Sequence, residues 1–266
     1  MLQTEMRAVI IGAGRGRRLR HETREHPKTL VPVMGRPMLE WILDALAAGG
    51  FERREVVYVC GYAEQVLRDR YPDLVYVRNP DWADNNILLS LLYAREYLGE
   101  GFVSTYSDIV YEPEIVTRLV DSPHDIALGC DTLWRRRYTR RSEHPETDAE
   151  KLRARGSRVV EISRHVPSEA AQGEFIGVMK LSRSGAREFL EAYDCAEHLF
   201  AGGPWREGRT FEKAYLIDQL QWMLEQGCVM HREDTPGGYM EIDTLEDLEA
   251  ASRWWEERPS FTTARE

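Results

Sequence analysis

The fold is decided by the stretch Arg7-Ala8-Val9-Ile10-Ile11-Gly12-Ala13-Gly14-Arg15-Gly16-Arg17-Arg18-Leu19. The apolar run over residues 7–11 predicts a buried β-strand, and three glycines follow it within five residues. A strand that leads into a glycine-rich turn brings backbone N–H groups close to phosphate, because glycine permits close approach and positive φ. The opening of the chain therefore predicts an α/β domain with a phosphate-binding turn.

Two common phosphate motifs do not fit this turn. The dinucleotide pattern Gly-x-Gly-x-x-Gly needs glycine where Arg17 stands, and an acidic residue where the next strand ends in Cys60 and Gly61. The P-loop pattern fails because no Gly-Lys-Ser/Thr follows. Instead, residues 14–28 hold six Lys/Arg and two Glu, a local balance of +4 in a chain of net charge −10. These cations favour a triphosphate clamp, with a solvated basic loop as the alternative.

Length, composition and charge restrict the class of protein. The chain has 266 residues, of which 42% are hydrophobic, as expected of a globular domain. Its acidic balance argues against a general nucleic-acid binder. The four cysteines show no CxxC spacing, and the sequence has neither a signal-peptide pattern nor a membrane-length apolar run. We therefore expect a soluble, cytoplasmic protein with no nucleic-acid or membrane partner.

Short apolar runs alternate with amphipathic segments along the chain. This pattern predicts a Rossmann-like, mainly parallel but mixed sheet flanked by helices. We expect a single domain over residues 1–257 and a loose tail over 258–266, with residues 134–180 and 200–240 forming a small substrate-binding lobe. The predicted strands are 7–11, 56–60, 74–77, 102–106, 125–130, 159–163, 175–181, 229–232 and 239–242; the predicted helices begin near 37, 62, 87, 184, 211 and 245.

The spacing of the basic motif carries a family resemblance. Gly14-x-Gly16-x-Arg18-Leu19, followed by Pro27-Lys28-x-Leu30-x-Pro32-Val33, resembles the N-terminal signature of the nucleotidyltransferases that make nucleoside-diphosphate sugars and CDP-alcohols. The resemblance implies the nucleotide-diphospho-sugar transferase fold, with Arg18 and Lys28 as catalytic residues on the NTP phosphates. It also places Gly12, Ala13, Gly14 and Gly16 around the nucleotide. The family usually has alanine at position 12, and we expect glycine there to loosen the turn.

A second motif indicates the branch of this superfamily. Ala83-Asp84-Asn85-Asn86-Ile87-x-x-Ser90-Leu91 stands where sugar-1-phosphate members commonly carry Gly-Thr-Ala. It resembles an element of LicC-type phosphocholine cytidylyltransferases and 2-aminoethylphosphonate cytidylyltransferases, and the resemblance runs from about residue 7 to 252. It implies CTP as the nucleotide, bound also by Gly61, Asn85, Asn86 and Ser90. A helix cap is the alternative reading of the asparagines.

Two aspartates are the predicted metal ligands. Asp108 follows the strand 102–106, where the open end of a parallel sheet places catalytic groups. The resemblance implies that Asp108, also a catalytic residue, holds Mg²⁺ together with Asp243, for which Glu241 is the substitute; either aspartate could instead cap a helix. The implied reaction is attack by a phosphate or phosphonate oxygen on the α-phosphorus of CTP, with release of pyrophosphate.

The acceptor site is the least constrained part of the prediction. Candidate acceptor-binding residues are Glu174, Asp218, Tyr239 and Lys151. Most arginines of the run 135–141 are expected in a solvated loop, although they could contact the acceptor phosphate or a partner subunit in a homodimer. The histidines show no ligand spacing and are expected at the surface or in the core. Three alternatives stay open: a sugar-1-phosphate nucleotidyltransferase using another NTP, a silent nucleotide-sensing subunit, and a dinucleotide-binding protein.

Overall fold

Strands and helices alternate along the chain in the computed structural model, which describes residues 6–139, 141–206 and 210–257. The predicted tail over 258–266 lies outside the described residues. The strands are β1 (Arg7–Ile11), β2 (Pro32–Val33), β3 (Arg36–Pro37), β4 (Val56–Cys60), β5 (Val75–Arg78), β6 (Phe102–Tyr106), β7 (Ile109–Tyr111), β8 (Ile126–Asp131), β9 (Lys151–Arg155), β10 (Arg158–Ile162), β11 (Gly173–Leu181), β12 (His231–Thr235) and β13 (Tyr239–Glu241). The α-helices are α1 (Met38–Ala48), α2 (Glu64–Arg70), α3 (Ile87–Tyr93), α4 (Glu114–Asp121), α5 (Arg135–Tyr138), α6 (Arg183–Phe200), α7 (Leu216–Glu225) and α8 (Leu245–Glu256).

Within the described residues, nine strands form one mixed sheet in the order β5-β4-β1-β6-β11-β8-β12-β10-β9. The pairs β5–β4, β4–β1, β1–β6 and β8–β12 are parallel, and β11 runs antiparallel to both β6 and β8. Every residue of β4 is buried, as expected of a parallel strand covered on both faces. The predicted Rossmann-like mixed sheet is therefore confirmed.

The two faces of the sheet bury separate apolar clusters. Alternate residues of β1 point to opposite faces, so Ala8 and Ile10 pack with α1 and α4, while Val9 and Ile11 pack with α3, α6 and α7.

The predicted bounds of β1, β4 and β6 match the structure residue for residue, whereas the sequence analysis did not predict β7, β9 or α4. No helix in the described part of the chain combines the length and apolarity that a membrane span requires.

A small second sheet connects distant parts of the chain. Strand β13 runs antiparallel to β7, with Glu241 opposite Ile109, and the Ile242 N–H donates to the Asp108 carbonyl at 2.9 Å. Asp108 directly precedes β7 and Asp243 follows β13 closely. This pairing therefore brings the two predicted metal ligands together at the edge of the main sheet where β1, β4 and β6 end.

Candidate active site

A cleft of about 410 Å³ opens at this edge of the sheet. That volume lies within the usual range for a small-molecule site. Most predicted site residues line the cleft: Gly12, Ala13, Gly14, Gly16, Arg18, Lys28, Asn85, Asn86, Ser90, Asp108, Glu174, Tyr239 and Asp243. Gly61, Asp218 and Lys151 do not belong to the lining of this cleft. Residues far apart in the sequence thus meet around one cavity.

The centre of the cleft is a lysine between two carboxylates. Lys28 Nζ donates to Asp108 Oδ2 at 2.8 Å and also hydrogen-bonds Asp243 Oδ1. Arg18 Nη2 donates to the other oxygen of Asp243, Oδ2, at 2.6 Å. Lys28 and Asp243 are buried, while the Asp108 side chain is 28% exposed. Both predicted metal ligands therefore hold a cationic side chain in this structure.

Charge pairing controls the ionisation of this cluster. Burial lowers the pKa of Lys28, but the neighbouring Asp108 and Asp243 carboxylates outweigh it and hold that pKa above its usual value. Burial raises the pKa of Asp243, but Lys28 and Arg18 outweigh it and keep the pKa below its usual range. Burial and the Asp243 charge raise the pKa of Glu241 well above its ordinary value. Asp243 is therefore the more ionised of the two carboxyls at the end of β13.

The glycine turn is closely packed. Gly16 has φ 69°, and a Cβ there would lie 2.6 Å from Lys28 Cδ, so only glycine leaves room for the lysine stem. A Cβ at Gly12 would overlap the Tyr58 hydroxyl and lie 2.9 Å from Ser107 Cβ. The expectation that glycine at position 12 loosens the turn is therefore wrong, because Tyr58 fills the space that alanine would need.

An amide network forms the wall beside the turn. Asn79 Nδ2 donates to Asn85 Oδ1 at 3.0 Å and to Ser90 Oγ at 2.9 Å, and Asn85 Nδ2 donates back to Asn79 Oδ1 at 3.0 Å. Asn86 caps α3 by accepting the Ile87 N–H at 2.9 Å, as the alternative reading expected, yet it also lines the cleft. Asn79 was missed because it is a single polar residue between elements.

Gly61, Asp218 and Lys151 have other surroundings. A Cβ at Gly61 would lie 2.6 Å from the Trp82 ring, so Gly61 makes room for a side chain that lines the cleft. Asp218 accepts the Tyr215 N–H at 2.7 Å and closes the first turn of α7. Lys151 is buried at the start of β9. The structure therefore does not bring Asp218 and Lys151 into the lining of the cleft.

Glu174 is part of a buried ionic network. The Arg137 guanidinium donates to both Asp131 and Glu174 and lies 4.5 Å above the Tyr239 ring, and Tyr138 Oη donates to Glu174 Oε1 at 2.6 Å. Burial raises the pKa of Glu174 against the opposing effect of Arg137. The prediction of a solvated arginine loop is therefore wrong for Arg137, whose carboxylate partners are supplied by two strands. Arg141 is also buried, whereas Arg140 lies outside the described residues.

Sequence reasoning missed a second polar group in the cleft, which includes Glu150. Glu150 Oε2 accepts from Tyr106 Oη at 3.1 Å, and Arg164 Nη2 lies 3.4 Å from Glu150 Oε1. The Arg164 guanidinium stacks 3.9 Å from the centre of the Tyr215 ring. Burial raises the pKa of Glu150 to about 7 despite Arg164. All four residues line the cleft, which therefore ends in a chamber of acidic and aromatic side chains.

The possible metal ligands form two overlapping groups. Asp108 and Asp243 offer carboxylate oxygens, the donors that Mg²⁺ prefers, and the Lys28 ammonium between them shows that a cation fits there. His144, Glu241 and Asp243 offer ligand atoms that all lie within 4.8 Å of one another. Burial and the nearby Arg141 lower the pKa of His144 to about 4, so its imidazole is neutral at pH 7.

Known proteins resemble the chain in sequence. It is 24% identical over 254 residues to CTP:phosphoglutamine cytidylyltransferase from Campylobacter jejuni, a match that covers 92% of this chain and 98% of that protein. It is 37% identical over 97 residues to 2-aminoethylphosphonate cytidylyltransferase from Lancefieldella rimae, covering 35% of this chain and 39% of that protein.

The fold and the family follow from two further comparisons. The structure of CTP:phosphocholine cytidylyltransferase from Streptococcus pneumoniae superposes with a TM-score of 0.70 at 20% identity, covering 94% of this chain and 98% of that one. This likeness confirms the predicted nucleotide-diphospho-sugar transferase fold. Residues 8–169, more than half of the chain, match the model of the MobA-like NTP transferase domain. The chain therefore belongs to the MobA-like NTP transferase family, whose members are nucleotidyltransferases.

Proposed function

We propose that the chain transfers the cytidylyl group of CTP to a small acceptor that carries both a phosphate or phosphonate and an amine, in a Mg²⁺-dependent reaction. One observation carries this proposal: the glycine turn, Lys28 and the Asp108–Asp243 pair share a single cleft with the acidic and aromatic chamber. The first group suits a triphosphate and its metal, and the second suits a cation. The cytidylyltransferase names of the relatives support CTP as the donor.

In this proposal, the turn and its cations bind the triphosphate. The backbone of Gly12–Gly16 approaches the phosphates, and Arg18 and Lys28 donate charge-assisted hydrogen bonds to their oxygens. Asp108 and Asp243 would hold Mg²⁺, which would neutralise charge on the triphosphate and polarise the α-phosphate. Arg18 and Lys28 must leave the carboxylates to reach the phosphates, and the 56% exposure of the Arg18 side chain gives it freedom to do so.

The chemical step needs no general base from the protein. A phosphate monoester has a second pKa of about 6, so its attacking oxygen is already anionic at neutral pH. That oxygen forms a bond to the α-phosphorus while the bond from the α-phosphorus to the bridging oxygen breaks, and pyrophosphate leaves with the electron pair. The residues of the cleft reduce the repulsion between two anions and hold the attacking and leaving oxygens in line.

The acidic and aromatic chamber is the reason for proposing that the acceptor carries an amine. Glu150 is buried and accepts a hydrogen bond from Tyr106, and a cationic ligand would stabilise its charged form. Tyr106, Phe175 and Tyr215 add aromatic side chains to the lining of the cleft, and aromatic rings attract an ammonium group. Arg164 offers a positive charge at the same end, suited to an anionic group of the acceptor. A sugar would instead be held by many hydrogen-bonding side chains.

The proposal is tested by measuring pyrophosphate release with CTP, UTP, ATP and GTP against a panel of acceptors. We expect turnover with CTP and with one of phosphocholine, 2-aminoethylphosphonate or phosphoglutamine. Asp108→Asn should lower that rate at least about 100-fold, whereas Asp73→Asn, a half-exposed aspartate outside the cleft lining, should not change it. Turnover only with a hexose-1-phosphate would assign the chain to the sugar branch, and tight CTP binding without turnover would indicate a sensing role.

A further inference from the structure

A buried histidine faces the carboxylates at the end of β13. His144 Nδ1 lies 3.5 Å from Asp243 Oδ2, and His144 Nε2 lies 3.6 Å from Glu241 Oε2. We propose that these three residues form a second divalent-cation site, selective for a metal that accepts nitrogen, such as Mn²⁺, Co²⁺ or Zn²⁺. The site would share Asp243 with the Mg²⁺ site proposed above; His144 faces Oδ2 of that carboxylate, whereas Lys28 binds Oδ1.

The side chains of His144, Glu241 and Asp243 are better ligands for such a metal than they are hydrogen-bond partners for one another. The His144 side chain is 4% exposed, and its Nδ1 has no hydrogen-bond partner among the described residues. A buried polar atom without a partner carries a desolvation penalty that a metal–nitrogen bond would remove. One imidazole nitrogen with two carboxylates is a ligand set that favours first-row transition metals, whereas an all-oxygen set suits Mg²⁺.

The ligands are held by one framework. Asp247 accepts the Asp243 N–H at 2.9 Å and the Arg141 Nε–H at 2.7 Å. The two residues before His144 donate their backbone N–H groups to Glu246, at 2.8 and 3.0 Å. The first turn of α8 therefore fixes both the end of β13 and the loop that carries the histidine. Such positioning reduces the entropy lost when a metal binds.

Two arginines face the same carboxylates. Arg18 occupies Asp243 Oδ2 at 2.6 Å, but its exposed side chain can turn to solvent or to a triphosphate. Arg141 is buried, with Nη2 3.9 Å from Glu241 Oε2, and it stays in place because Asp247 holds it. Its positive charge weakens attraction for any divalent ion, so the nitrogen ligand matters more here than at a purely acidic site.

Mn²⁺ binding tests the site without CTP or an acceptor. Free Mn²⁺ is titrated by electron paramagnetic resonance, and the bound ion is examined for electron spin-echo modulation from a directly coordinated nitrogen. The wild type and His165→Gln, a change at an exposed histidine outside the cleft lining, should both show this modulation. His144→Gln should lose it and should bind Mn²⁺ at least about 10-fold more weakly.

Two results would overturn the proposal: no nitrogen modulation in the wild-type protein, or modulation that persists in His144→Gln. If His144→Gln does not fold, Glu241→Gln decides: an amide is a weaker metal ligand than the carboxylate that a bound cation would stabilise, so Mn²⁺ binding should weaken, and unchanged affinity would contradict the site. Failure here leaves cytidylyl transfer untouched, because that reaction is measured separately with Mg²⁺. Conversely, a protein that binds Mn²⁺ through His144 without any cytidylyl transfer would refute only the proposed function.

Discussion

Replacing Lys28 with methionine should have opposite effects on the two proposed ligands of the cleft. The substitution keeps the length of the apolar stem but removes the ammonium that bridges Asp108 and Asp243. In the nucleotide-free protein that ammonium competes with a divalent cation for the same oxygens. We therefore expect Lys28→Met to bind Mg²⁺ or Mn²⁺ more tightly than the wild type in the absence of CTP, and to bind CTP more weakly.

The size of the effect follows from the two contacts. A hydrogen bond between charged partners contributes about 1.5–3 kcal/mol, and the contact to the partly exposed Asp108 belongs at the low end. Moving the ammonium away therefore costs about 3 kcal/mol, which corresponds to about 100-fold in metal affinity. The variant should also be less stable by about 2–4 kcal/mol, because among the described residues Asp243 keeps one charged hydrogen-bond donor, Arg18. Added metal should restore much of that loss.

Metal affinity is measured by calorimetric titration without nucleotide, and stability by thermal unfolding with and without metal. Lys180→Met is the matched control, since Lys180 is also buried but donates to the carbonyls of Ser122 and His124, outside the cleft lining. That control should lose stability without gaining metal affinity. Unchanged or weaker metal binding by Lys28→Met would refute the competition, and unchanged CTP affinity would refute the role of Lys28 on the triphosphate.

Three further outcomes are expected. Gly16→Ala should reduce CTP affinity at least about 10-fold in calorimetry because its Cβ displaces the lysine that bridges the two aspartates, whereas Gly14→Ala, with no atom within 4 Å of a new Cβ, should fold with unchanged stability. Gly12→Ala should cost about 1–3 kcal/mol of stability in urea unfolding, because its Cβ overlaps the Tyr58 hydroxyl. The pKa of Glu150 is raised in the folded state, so the wild type should lose stability as the pH rises from 4.5 to 7.5. Glu150→Gln does not titrate, so over this window its free energy of unfolding should rise relative to that of the wild type by up to about 3 kcal/mol in the same assay. Equal pH profiles for the two proteins would contradict this.

The parts predictable from sequence depend on local signals. Strand β1 and its turn are marked by an apolar run and three glycines, and the pairing of Thr244 with Asp247 marks the start of α8, where the structure has a capping box. Strand β7, by contrast, has three residues, too few for periodicity to reveal it. Yet β7 pairs with β13, so a short element without its own signal places both candidate metal ligands.

The missed site residues depend on contacts that form only when the chain folds, whether the partner is six residues away or about a hundred. Arg137 belongs to a run of arginines that locally resembles a solvated loop, but Asp131 and Glu174 neutralise it in the interior. His144 is about a hundred residues from Glu241 and Asp243 in the sequence, and its position beside them depends on the first turn of α8. Asn79 meets Asn85 only after the chain has turned between β5 and α3. Charge runs and motif spacing do not encode these contacts.

The distribution of charge along the chain suggests how nucleotide and metal binding are linked. Residues 14–28 carry a local +4, and residues 241–257 hold seven Asp/Glu against one Arg. In the structure, the basic segment reaches the acidic one through Arg18 and Lys28, which both bind Asp243. A triphosphate must therefore replace the Asp243 carboxylate as the partner of Arg18 and Lys28. A metal must likewise displace Arg18 and Lys28 from that carboxylate. Each event removes the competitor of the other, so binding of nucleotide and metal should be mutually reinforcing even without a change of fold.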